Sequence, residues 1–109
     1  MDRREYVDAV LDAYRATPGT CGAVRRADRV LAAEWFERGV PLAAVENAMV
    51  LAAMRRLVRG PDAPPLGTVR SLAYFAPVVE EALVLDLEVG QGYFDYARDR
   101  LERFLRTGR

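Results

Sequence analysis

The chain has 109 residues, 51% of them hydrophobic, and a formal net charge of zero. That length fits one domain, and the apolar content is too high for an intrinsically disordered chain. With no histidine and one cysteine, the commonest general base and metal ligand are missing, and neither an internal disulfide nor an ordinary zinc site is available.

Helical periodicity runs through the sequence in chain order. Tyr6, Val7, Val10, Leu11 and Tyr14 form an apolar stripe that predicts a helix over 3–16, stopped by Thr17-Pro18-Gly19-Thr20. A second helix is expected over 25–38, with Ala27, Val30, Leu31, Ala33 and Trp35 facing the core and Gly39 as a left-handed cap. Pro41 suits the start of a third helix reaching about residue 58. Its wide apolar face, Leu42, Val45, Ala48, Met49, Ala52 and Ala53, marks it as the central one.

The prolines and glycines of 60–67 predict a loop. A fourth helical segment follows over 69–88, and Pro77 should kink it or divide it into a short turn and a longer helix. Gly90-Gln91-Gly92 reads as a break before a last helix over about 93–106, with Phe94, Ala97, Leu101, Phe104 and Leu105 on one side. No strand pattern of period two occurs. The expectation is an all-α, compact bundle of four to five helices in one domain, 1–109, with its core in about 4–88.

No apolar run approaches the ~20 residues needed to cross a bilayer. The mixed-charge opening Met1-Asp2-Arg3-Arg4-Glu5 is unlike a secretory leader, so a cytoplasmic location without membrane association is expected.

All sixteen basic residues are arginine. This fits either a GC-rich genome or a preference for bidentate contacts with phosphate and carboxylate. Charge is unevenly placed. Residues 15–70 carry nine arginines against five acids, 80–95 carry five acids and no arginine, and 96–109 carry five arginines against two acids. These blocks are either solvated faces that pair with one another or surfaces for different partners. Arg55, Arg56 and Arg59 close the third helix, where the dipole favours one or two of them. Arg25, Arg26 and Arg29 open the second, at the end where the dipole opposes them, and Asp28 offers local compensation. Arg100, Arg103 and Arg106 recur every three residues as a basic ridge, with Arg98 and Arg109 beside it. Such a ridge, with Arg70, is suited to neutralising phosphates. Cys21 reads as a neutral loop thiol, or as one acidified by Arg25 and Arg26.

No catalytic constellation is visible. Glu80 and Glu81 are adjacent on a helix and diverge by about 100°, and Ser71 is the only serine, with no histidine to activate it. A helix-turn-helix reading of the second and third helices is weakened by the bulk of Trp35 near the crossing. Leu42-Ala43-Ala44-Val45-Glu46 also lacks base-reading side chains, leaving Asn47 alone.

Three features together resemble the C-terminal domain of the DnaD-like replication-initiation proteins. They are Trp35 and Gly39 followed by Pro41, Val45 and Ala48; Tyr6, Val10 and Tyr14 in the preceding helix; and Tyr74 with Val78-Val79 in the place of the family's signature helix. The resemblance covers about residues 4–85. Ala82 stands at the signature's tryptophan position, and Glu80 and Glu81 should repel phosphate. The resemblance implies an accessory role in replication of a chromosome, phage or mobile element, with binding to single- or double-stranded DNA and cooperation with a helicase-loader-type protein. The expected activity is non-catalytic and cofactor-free, with the arginine clusters on phosphates. The alternative is a protein-interaction or homo-oligomerisation module in which the acidic stripe meets the basic tail.

Overall fold

A computed structural model describes residues 1–108. It forms five α-helices and one 3-10 turn: α1 Arg3–Ala16, α2 Arg26–Glu37, α3 Leu42–Leu57, the 3-10 turn Leu72–Phe75, α4 Ala76–Glu88 and α5 Gln91–Thr107. Among the described residues there is no strand. Only an isolated bridge joins Thr20 to Val69, where the Cys21 amide donates to the Val69 carbonyl and the Val69 amide donates to the Gly19 carbonyl.

The expected all-α bundle is the observed one. α1 starts on a reciprocal cap, with the Glu5 amide donating to Asp2 Oδ1 at 2.8 Å and the Asp2 amide to Glu5 Oε1 at 3.2 Å. Its stripe of Tyr6, Val7, Val10, Leu11 and Tyr14 is buried throughout. α3 is central, packing against α1, α4, α5 and the 3-10 turn, while α2 lies on α1. Gly39 takes φ +75° after α2, a conformation that costs a side-chain-bearing residue energy. The Val40 amide returns to the Trp35 carbonyl at 2.9 Å, and the Tyr6 hydroxyl donates to the Val40 carbonyl at 2.8 Å. Trp35 fills the space beneath this turn and is fully buried, so the bulk that argues against a DNA-reading crossing serves the core.

Three expectations change. In α2 the core face is Asp28, Ala32, Ala33 and Trp35, while Ala27 and Val30 are exposed and Leu31 is half-buried. The helix is rotated by the anchoring of Trp35 and Asp28, which outweighs the burial of two small apolar side chains. Of the two outcomes open to Pro77, division is observed. The 3-10 turn ends at Phe75 and Pro77 sits in the first turn of α4, where a missing amide hydrogen costs no intrahelical bond. The Gly90–Gly92 break shrinks to Gly90 alone, at φ +75°, and α5 includes Gln91 and Gly92.

Candidate functional site

The arginines at the end of α3 are committed within the chain. Arg55 grips Glu81 of α4 through both guanidinium nitrogens, at 2.7 and 2.5 Å. The hydrogen bonds from Arg55 hold the Glu81 carboxyl below the usual carboxylate range, against the opposing effect of desolvation. Arg56 donates to the Gly67 carbonyl at 2.6 Å and to the Tyr74 hydroxyl at 3.3 Å, and its guanidinium lies 5.3 Å from the Tyr74 ring centroid. Arg59 donates to the Pro64 carbonyl at 2.5 Å. These three side chains fasten α4 and the proline-rich loop to α3, so the sequence cluster does not form a set of free cations.

The basic ridge of α5 is divided as well. Arg103 pairs with Asp99 one turn earlier, at 2.5 Å. Arg100 lines a shallow recess with Met54, Arg55, Val58 and Tyr96. Arg100 and Arg106 are exposed and make no ion pair among the described residues. Arg109 lies outside the described residues.

A different basic group is assembled by a residue that sequence reasoning treated only as a local counter-charge. Asp28 is 2% exposed. Its Oδ2 accepts the Arg25 amide at 2.8 Å, and its Oδ1 accepts the Leu72 amide at 2.9 Å. One carboxylate thus caps α2 and holds the start of the 3-10 turn against it. The capped junction is flanked in sequence by Arg25 and Arg26 on one segment and by Arg70, two residues before Leu72, on the other. The three are exposed and, among the described residues, none makes an ion pair. Arg29, one residue beyond Asp28, is instead 3.8 Å from Asp8 of α1. Cys21 lies at the same end, its sulfur 3.9 Å from the Arg70 carbonyl oxygen and 4.0 Å from the Tyr14 hydroxyl. Hydrogen bonding to the Ala23 backbone, with a smaller contribution from Arg25, lowers the thiol pKa. Burial and the contact with Cys21 push the Tyr14 hydroxyl up to about 12.

The other singled-out residues have defined places. Tyr74 is 44% exposed, packed edge-on to Phe75 with Arg56 over its face, and Val78 packs half-buried against the core. Asn47 is unavailable for base contacts. It is 4% exposed and forms a reciprocal amide pair with Gln91, at 2.9 and 3.2 Å. Glu80 and Glu81 turn to different partners, Glu80 to Arg38 at 2.8 Å and Glu81 to Arg55.

No protein-family model matches the chain, and neither the curated proteins nor the solved structures yield a match. Its class is therefore stated by architecture, an all-helical single bundle built around α3. Among the described residues, no helix is long and apolar enough to cross a membrane.

Proposed function

We propose that this chain is a non-catalytic accessory domain that binds nucleic acid through phosphate contacts, in replication of a chromosome or mobile element. The observation that carries the reading is the Asp28 cap, which joins the backbone segments that bear Arg25, Arg26 and Arg70, all exposed and, among the described residues, without an ion pair. Arg100 and Arg106 are the remaining uncommitted cations of the expected set. The likeness of Trp35, Gly39, Tyr74 and Val78 to the DnaD-like signature supports the same role and adds a helicase-loader-type protein as a partner. Arginine suits such contacts because its planar fork meets a phosphate bidentately.

Fluorescence anisotropy with single- and double-stranded oligonucleotides tests this. We expect a Kd of about 1–100 µM at physiological salt, tighter at low salt and weakening as salt rises. Arg26→Ala with Arg70→Ala should reduce the salt slope by about 2 on duplex DNA. Absence of binding at tens of micromolar protein, or binding indifferent to salt, overturns the proposal.

A second reading, an interaction module with no nucleic-acid role, is favoured by one observation. Arg3, Arg15, Arg29, Arg38, Arg55 and Arg103 are already paired with carboxylates of the same chain. The same titration separates the two readings.

A further inference from the structure

We propose that the cavity between α1, α3 and α5 binds a small organic amine, an ammonium group on a compact apolar body. This inference is independent of nucleic-acid binding, because Arg25, Arg26 and Arg70 do not line the cavity.

α1 and α5 both pack on α3, and a cavity of about 250 Å³ opens between the three helices. Each helix gives it one face at helical spacing. The floor is Met49 and Ala53 of α3 with Leu101 of α5, all buried. Ala13 and Ala16 form the wall on α1, where longer side chains would fill the space. An interior of this size, apolar below and polar only at its mouth, takes a ligand with a hydrocarbon body about the size of one aromatic ring.

Charge at the mouth decides the head group. Glu46 of α3 with Arg98 and Glu102 of α5 line the cavity and are exposed, and among the described residues none of them makes an ion pair. Two carboxylates against one guanidinium leave one negative charge. Neighbouring groups do not cancel it. Asp12 and Arg15 of α1 pair with each other, and Asp99 pairs with Arg103. Asp95 and Arg106, a turn to either side along α5, carry opposite charges and lie outside the lining. The wall on α1 belongs to the last turn of that helix, and a helix C-terminus carries partial negative charge. Carboxylates and helix end together favour a cation and oppose a phosphate or carboxylate. Exposed carboxylates attract weakly on their own, so the ligand needs the apolar body as well as the ammonium.

Isothermal titration calorimetry of the full chain at low salt tests the proposal, with phenethylamine as the probe. We expect a Kd below about 1 mM. Phenylpropionate and phenethyl alcohol, which keep the ring and lose the positive charge, should bind at least about fivefold more weakly. Ethylamine, which keeps the charge and loses the ring, should do the same. Acetyl-lysine methylamide stands for the lysine side chain of a protein partner, and its narrow stem should bind more weakly than phenethylamine. Glu46→Gln with Glu102→Gln should weaken phenethylamine at least about fivefold, and Arg98→Gln should tighten it about two- to fivefold. Ala16→Leu fills the cavity from an exposed position at the end of α1 and should abolish binding. Far-ultraviolet dichroism checks that each variant is folded, and the charge variants are surface changes that keep the test open if Ala16→Leu is not. No binding of phenethylamine up to about 10 mM overturns the proposal. So does equal binding of the anion or the alcohol, a lysine model that binds as tightly, an affinity indifferent to the two glutamates, or one that does not rise on Arg98→Gln. Arg25, Arg26 and Arg70 are untouched by these variants, so loss of amine binding and loss of DNA binding are read separately.

Discussion

Asp28 is the residue whose role is least legible in the sequence and largest in the structure. It stands among arginines, and pairing with them is the local expectation. Both of its oxygens instead take backbone amides, one from Arg25 and one from Leu72, 44 positions away. A buried carboxylate is stable only when its lone pairs are occupied. Here helix capping and loop docking are met by the same group. Asp28→Ala leaves two amides without partners and should cost about 3 kcal/mol in urea unfolding. Asp28→Asn keeps one acceptor and should cost roughly half as much. Equal losses for the two variants would show that the carboxylate serves only one of its two amides. Asn47 teaches the same lesson. Its place near the start of a helix fits base reading, and its reciprocal bond to Gln91 removes it from the surface.

At the scale of the element, periodicity locates all five helices and the complete buried face of α1. It misplaces the face of α2, because Ala27 and Val30 count as apolar in a pattern as fully as Trp35 does although each buries far less area. Trp35 carries the larger burial energy and orients the helix. The end of α3 shows a related limit. Dipole arguments account for Arg55, Arg56 and Arg59 one residue at a time, but their partners, Glu81, Gly67 with Tyr74, and Pro64, come from segments whose positions periodicity does not supply. The Arg55–Glu81 pair has a pH signature. Pairing holds the Glu81 pKa in the folded protein below its ordinary value of 4.5, so its contribution is fully present above that value and is lost as the pH falls through the folded pKa. Both side chains are more than a third exposed, which limits the effect to about 0.2–1 kcal/mol. Glu81→Gln should therefore lower the melting temperature slightly at pH 7, and the gap to the unmodified chain should close below pH 4.5. A gap that persists in acid would mean that the loss arises from packing.

At the scale of the molecule, α5 is part of the core and not a separable tail. Phe94, Ala97 and Leu101 are buried, and the Asn47–Gln91 pair locks the start of the helix to α3. A chain ending at Val89 would expose the surface of α3 that α5 covers, and it should lose its cooperative thermal transition, measured by dichroism. A sharp transition in that truncated chain would show that α1 to α4 form a complete domain. Self-association is therefore better probed by point substitutions of exposed residues than by removing α5.

Helix positions, the central place of α3, an interruption at Pro77 and the absence of histidine follow from local rules of period, propensity and residue type, and they are readable along the chain. Which arginines remain free does not follow from them. Arg55, Arg56, Arg59 and Arg103 are spent on internal partners, and the segments that bear Arg25, Arg26 and Arg70 are joined by a buried carboxylate although they lie far apart in sequence. An ion pair or a shared cap depends on distances of a few ångströms between distant residues, and only packing of the helices around α3 sets those distances.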